Sequence, residues 1–253
     1  MSLFSNRIRF RLREHRMPLL SFSPESHSFA LCVADSGSAG NLSYISIQMP
    51  VRTTIVGSED VLFITFTCYR WLPLIEITNS YDLVYKWFDY LKTKGHLVTG
   101  YVIMPNHLHV LIYFSKTEKS INKIIGDGKR FMAYEIVKRL QEKGKAEILT
   151  VLQTAVENKD RQRGKKHEVW EDSFDSKICR TEKFLHQKLA YIHANPCRGK
   201  WSLAKTPIDY KHSSAKFYIS SGHSAYEVTS VSEIIPVIID NTAETTANTQ
   251  SFE

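Results

Sequence analysis

Two histidines separated by one residue are the sharpest chemical feature of the sequence. They lie in residues 104–112, MPNHLHVLI. Residues two apart on a β-strand project from the same face, so His107 and His109 point together while Leu108 and Val110 point to the opposite side. Two adjacent imidazoles are a costly choice for a core and a suitable pair of metal ligands. The alternative is that both histidines decorate a solvated face of a sheet.

A second group of reactive side chains lies on a predicted helix. Thr181 caps this helix, which runs from residue 182 to about residue 195 and is ended by Pro196. At about 100° per residue, one face of this helix is apolar and packs on the rest of the protein. The stripe beside it carries an aromatic ring, a cation, a phenol and an amide: Phe184, Lys188, Tyr191 and Asn195.

Tyr191 and Asn195 are neighbours one turn apart on that stripe. A phenol, an amide oxygen and a lysine next to a buried face suit an active site. The alternative is a tyrosine at the boundary of the core and an asparagine that terminates the helix. His193, two residues from Tyr191, points elsewhere on the helix and receives no role.

The composition indicates that the chain can fold and that it can bind an anionic partner. Its 253 residues are 43% hydrophobic, which is enough for one sizeable domain. Lys and Arg number 33 against 26 Asp and Glu, a formal charge of +7, and a basic surplus favours polyanions such as nucleic acid.

The cysteines and the hydropathy restrict the compartment and the class of protein. Four cysteines are scattered without a Cys-x-x-Cys pair, which argues against a zinc ribbon or a disulfide scaffold and favours a reducing cytoplasm. No apolar run approaches the ~18 residues that span a membrane, so no membrane partner is expected.

Hydrophobic periodicity predicts the elements that position these residues. Alternation indicates strands near residues 61–69, 97–104, 107–114 and 169–179. Asn79 or Ser80 can cap a first helix, which ends at Gly95, and Ser120 can cap a second. Gly126 and Gly128 predict a break or a kink in the second helix. The order of strand, helix, strand, strand, helix and strand predicts an α+β fold with a ferredoxin-like antiparallel sheet and helices on one face, and the helix with Tyr191 is additional.

Three stretches lie outside this pattern. Residues 1–48 are expected to form a weakly structured leader, and the domain is expected to cover residues 60–219. Residues 220–253 turn rich in Ser and Thr and predict a largely disordered tail. The charged residues 144–166 predict a solvated loop or a helix extension that can also contact phosphates.

Together, the two motifs resemble a known family. A His-hydrophobic-His strand followed far downstream by residues 191–196, YIHANP, is similar to the pattern of the single-tyrosine HUH transposases, and most of all to their REP-associated tyrosine transposase branch. The resemblance covers roughly residues 60–216 and includes Trp170, Phe174 and the pair Ser213-Ser214. The segment 144–166 is longer than usual in the family, and Cys197 stands where valine is common.

The resemblance implies a function. His107, His109 and Asn195 would hold Mg²⁺ or Mn²⁺, and Tyr191 would attack single-stranded, hairpin-forming DNA to leave a 5′-phosphotyrosine and a free 3′-hydroxyl. A phenol with a pKa near ~10 needs assistance at neutral pH, for which Lys188 is the candidate. The protein would act in the bacterial cytoplasm, associated with the nucleoid.

Two other functions stay open at this point. One is a nucleic-acid-binding protein on the same fold that has lost its chemistry, and the other is a metal-dependent nuclease that uses water as its nucleophile. Either a single chain or a homodimer can form the site, because several residues link the helix of Tyr191 to the domain on each side.

Overall fold

Alternating apolar and polar residues produce the strands of one antiparallel sheet in the computed structural model. The model describes residues 59–117, 119–171, 174–199 and 201–236. The four strands are β1 (Asp60–Thr67), β2 (Leu97–Ile103), β3 (His107–Phe114) and β4 (Asp175–Ile178). Their order is β2-β3-β1-β4, and each neighbouring pair is antiparallel. This order confirms the predicted ferredoxin-like α+β fold.

Helices of very different length connect and follow these strands. The long ones are α2 (Tyr81–Thr93), α3 (Ile121–Glu142) and α6 (Glu182–Ala194). The hydroxyls of Ser120 and Thr181 accept hydrogen bonds from backbone N–H groups in the first turns of α3 and α6, as capping residues do. The shorter helices are α1 (Leu74–Thr78), α4 (Ala146–Thr154), α5 (Asn158–Gln162) and α7 (Ala215–Ser220).

The two faces of the sheet carry separate cores. On one face, α2 and α3 cover the larger core. Its strand residues include every second residue of β1 and, on β3, the residues that alternate with the histidines: Leu62, Ile64, Phe66, Leu108, Val110 and Ile112. On the other face, α6 covers a smaller core. The additional helix therefore packs on the face of β3 that carries His107 and His109.

Three sequence-based expectations need correction. First, α3 runs without a break through Gly126 and Gly128. Second, the charged segment 144–166, predicted as a solvated loop or a helix extension, contains two separate helices, α4 and α5, and Leu152 is fully buried against the larger core.

Third, the packed chain continues beyond the expected boundary at residue 219. The ring of Tyr226 stacks on Tyr85, and Val231 and Ile234 are buried. The predicted leader at residues 1–48, and the predicted tail from residue 237 onward, lie outside the described residues.

Gly128 has a packing role within the unbroken helix α3. A methyl group at this position would collide with the indole of Trp87, whereas one at Gly126 would meet nothing. Trp87 cannot move aside easily, because it is buried against Phe66 and Phe88. Glycine at 128 thus lets α3 approach α2 closely.

The two glycines of α3 should respond oppositely to alanine. Gly128→Ala should lower the free energy of unfolding by about 2–3 kcal/mol, because it overpacks the core. Gly126→Ala should raise the free energy of unfolding by about 0.5–1 kcal/mol, because alanine favours the helix. Urea unfolding followed by circular dichroism measures both values. Equal effects of the two changes would contradict the close packing of α3 on Trp87.

None of the helices in the described part of the chain is long and apolar enough to cross a membrane.

Candidate active site

The two histidines lie side by side on β3 at the edge of the smaller core. His107 and His109 are each 6% exposed, and their ring centroids are 4.7 Å apart. In the register of the sheet they lie opposite Thr67 and Thr65 of β1. The strand geometry therefore gives both imidazoles the common face that the sequence predicts.

A chain of hydrogen bonds fixes the orientation of His107. Asn106 donates through Nδ2 to the carbonyl oxygen of Trp71 at 3.1 Å, which turns its own Oδ1 toward Nδ1 of His107 at 2.7 Å. Because an amide oxygen only accepts, Nδ1 of His107 carries the proton and Nε2 presents a lone pair. Such an outer partner is the usual way in which proteins orient a histidine that binds a metal ion.

Three partners surround the ring of His109. Oγ1 of Thr65 lies 2.8 Å from its Nδ1, and the ring of Phe63 stacks on it at 5.5 Å. On the remaining side, the hydroxyl of Tyr191 lies 3.5 Å from its Nε2. The phenol of the helix stripe and an imidazole of the strand motif are thus next to one another.

Burial keeps both imidazoles neutral. Loss of solvation lowers the pKa of His107 to about 4, opposed by a hydrogen bond with the Asn195 side chain. Loss of solvation also lowers the pKa of His109 to about 3, and repulsion by a protonated His107 and by Lys188 acts in the same direction. At neutral pH each histidine is therefore unprotonated and can act as a ligand without first losing a proton.

The helix that carries Tyr191 is fastened closely to the sheet. Gly100 of β2 leaves room for Leu189, whose side chain would collide with any larger residue there. His193 is buried, and its Nε2 lies 2.9 Å from Oγ of Ser214, which accepts a hydrogen bond from the backbone N–H of Tyr101 at 3.0 Å. These contacts hold α6 against β2 and fix the place of Tyr191.

Tyr191 is 46% exposed, so part of this residue is open to solvent beside the two histidines. The ammonium group of Lys188 lies over three aromatic faces, at 4.8 Å from the centre of Phe63, 5.1 Å from Phe184 and 5.9 Å from Tyr191. A cation thus lies next to the phenol, where it can stabilise negative charge on the phenol oxygen or on a phosphate.

Asn195 ends α6 beside His107, which brings all five predicted residues together within one chain. The described residues contain no cluster of three or more His, Cys, Asp or Glu that could hold a metal ion. Two imidazoles and one amide oxygen are the donors that could hold a metal ion at this place. Phosphate oxygens of a substrate would complete the donor set, and such oxygen ligands suit Mg²⁺ and Mn²⁺.

Four residues that support this site had no role in the prediction from the sequence. Thr65 and Asn106 orient the two imidazoles, and His193 and Ser214 fasten the helix. Two of them carried a signal in the sequence: Asn106 precedes the His-x-His motif directly, in a turn, and Ser214 belongs to the Ser213-Ser214 pair that the family resemblance includes. The other contacts depend on the register of β1 against β3 and on the packing of α6.

Comparison with protein families finds no family model that matches the chain, and comparison with curated proteins finds no match. Among solved structures, the chain is similar to one described as a REP-associated tyrosine transposase bound to a REP hairpin. The sequences are 16% identical, the TM-score is 0.45, and the match covers 66% of this chain and 82% of the other. The similarity is therefore distant.

Proposed function

We propose that this protein is a metal-dependent endonuclease and strand transferase, of the transposase type, that acts on single-stranded, hairpin-forming DNA through a 5′-phosphotyrosine. The observation that carries the proposal is the contact between Tyr191 and His109: the hydroxyl of Tyr191, a residue that is 46% exposed, lies 3.5 Å from Nε2 of His109. A tyrosine hydroxyl beside a pair of neutral imidazoles is the arrangement that this chemistry needs.

His107, His109 and Asn195 would hold Mg²⁺ or Mn²⁺. When bound, the ion would polarise the scissile phosphate and stabilise the charge that develops on its oxygens. The chain supplies the orientation, because Asn106 and Thr65 hold the two imidazoles and α6 carries the amide. Lys188 adds a positive charge on the side of the phenol.

The proposed step is an in-line displacement. The Tyr191 oxygen forms a bond to phosphorus while the bond from phosphorus to the 3′ oxygen breaks, and the proton lost by the phenol is balanced by the one that the departing oxygen gains. The energy of the broken ester is kept in the new one, so a 3′-hydroxyl can attack it later and rejoin DNA without a further energy source.

Single-stranded DNA suits this site for two reasons. A flexible strand can place a phosphate in line with a tyrosine that is itself fixed on a helix. The formal charge of +7 favours a polyanion, and affinity should therefore fall as salt is added. The preference for hairpin-forming DNA is implied by the resemblance of the two sequence motifs to those of the REP-associated tyrosine transposases.

A covalent adduct tests the proposal. The full-length protein is incubated with 5′- and 3′-labelled single strands from the flanks of its own gene, with Mg²⁺ or Mn²⁺, and separated in SDS. A shifted band that carries only the label 3′ to the cut is expected, and mass spectrometry of its tryptic peptides should place the nucleotide on Tyr191. Cleavage without an adduct would indicate a water nucleophile, and the absence of both would contradict the enzyme.

A further inference from the structure

An exposed tryptophan lies at the edge of the candidate site. The indole of Trp71 is 56% exposed, whereas Trp87 and Trp170 are buried. Its ring contacts His107 edge-to-face, with the centroids 5.6 Å apart. Tryptophan is highly buried on average, and this exposed indole adjoins a candidate metal ligand, where a bound substrate can contact it.

The backbone at this position is unfavourable for the residues that occupy it. Arg70 and Trp71 have φ angles of 50° and 58°, in the left-handed region that side chains with a Cβ rarely adopt. Two side chains hold this conformation: Asn106 donates to the carbonyl oxygen of Trp71 at 3.1 Å, and Glu171 accepts from the backbone N–H of Arg70 at 2.7 Å. The fold thus holds the indole outward against a local preference.

The same asparagine connects the indole to the site. Asn106 binds the carbonyl of Trp71 through its nitrogen and Nδ1 of His107 through its oxygen, so one buried side chain sets the position of both. Such a shared support is expected where two groups act on one ligand.

We propose that Trp71 is a stacking platform for a nucleobase of single-stranded DNA, in the nucleotide that adjoins the phosphate bound at His107 and His109. The inference rests on the proposed function, because it assumes a single-stranded substrate. Stacking on an aromatic face is open to any base, and only an unpaired base has a free face to offer. Arg70, exposed beside the indole, supplies a cation for the backbone of the same strand.

Intrinsic fluorescence of the full-length protein tests the platform without requiring activity. A single-stranded oligothymidylate is titrated into the wild type in EDTA, where no metal-dependent cleavage occurs. Quenching is expected to come mainly from Trp71. Trp71→Ala should remove most of the quenching and weaken binding, measured by anisotropy of the labelled strand, by about 5- to 100-fold. Trp71→Phe should retain most of the affinity.

Two further variants control for folding and for exposed aromatic surface. Trp71→Gly relieves the left-handed backbone, so its melting temperature should not fall below that of the wild type, while its DNA affinity falls as in Trp71→Ala. Tyr134→Ala removes an aromatic ring that is 71% exposed on α3, across the sheet from the site, and should bind DNA like the wild type.

The outcomes separate this inference from the proposed function. Wild-type affinity in Trp71→Ala would overturn the platform even if the wild type forms a Tyr191 adduct with Mn²⁺. A loss of affinity in Trp71→Ala and Trp71→Gly supports it even if no adduct forms. If Trp71→Ala reduces Mn²⁺ affinity but leaves metal-free DNA binding unchanged, Trp71 only shields His107. That result would also overturn the platform.

Discussion

Tyr191→Phe is expected to abolish the covalent adduct and to lower the rate of DNA cleavage by at least about 10⁴-fold, because it removes the oxygen that attacks in the proposed reaction. The ring stays in place beside Phe63 and His109. Because the hydroxyl is not a proposed ligand for metal or DNA, binding of Mn²⁺ and of a single strand should stay close to the wild type. Gel analysis in SDS and anisotropy measure the two properties on the same preparations.

Tyr134→Phe is the matched control for this change, since it removes a hydroxyl from an exposed tyrosine outside the site. It should form the adduct at the wild-type rate. Continued cleavage by Tyr191→Phe would indicate a water nucleophile. An adduct on Tyr69 or Tyr134 would keep the reaction and refute the site, whereas Tyr101 is fully buried and has its pKa raised to about 12 by that burial.

The double change His107→Ala/His109→Ala is expected to remove Mn²⁺ binding and to lower cleavage by about 10³-fold or more, because several kcal/mol of charge stabilisation are lost. Isothermal titration calorimetry should show one site in the wild type and none in the variant. Asn195→Ala should bind Mn²⁺ more weakly and recover cleavage at high Mn²⁺ concentration, because it removes only one of the three proposed ligands.

Two controls accompany the histidine pair. His107→Gln/His109→Gln keeps polar side chains of similar size and shows whether a loss of binding reflects unfolding. His186→Ala removes an exposed histidine from α6 and should leave Mn²⁺ binding unchanged. Unchanged Mn²⁺ binding by either double variant, with the fold intact, would remove the metal site.

The strands and the long helices could be predicted because their signals are local. Alternation in β1 and β3 reflects a sheet with one face toward α2 and α3, and the caps at Ser120 and Thr181 are read within one turn. The ferredoxin-like order then follows from the sequence of elements. The common face of His107 and His109 is equally local, since it depends only on the strand period.

The remaining features depend on contacts between distant segments. Glycine weakens an isolated helix, so Gly128 predicted a break, but in the folded protein its missing side chain makes room for Trp87. Likewise, Thr65 meets His109 only through strand pairing, and His193 meets Ser214 only when α6 lies on β2. Neither partner can be identified from spacing along the chain.

The close attachment of α6 to β2 has a consequence for rejoining. Leu189 fills the space above Gly100 and His193 is bound to Ser214, so the segment that carries Tyr191 is held on both sides of it. In the proposed reaction, the DNA end attached to Tyr191 therefore stays where it was cut, facing the strand that has just left. Exchange for another strand then depends on movement of the nucleic acid, and the refolding of a hairpin can carry the old end away and bring a new one in.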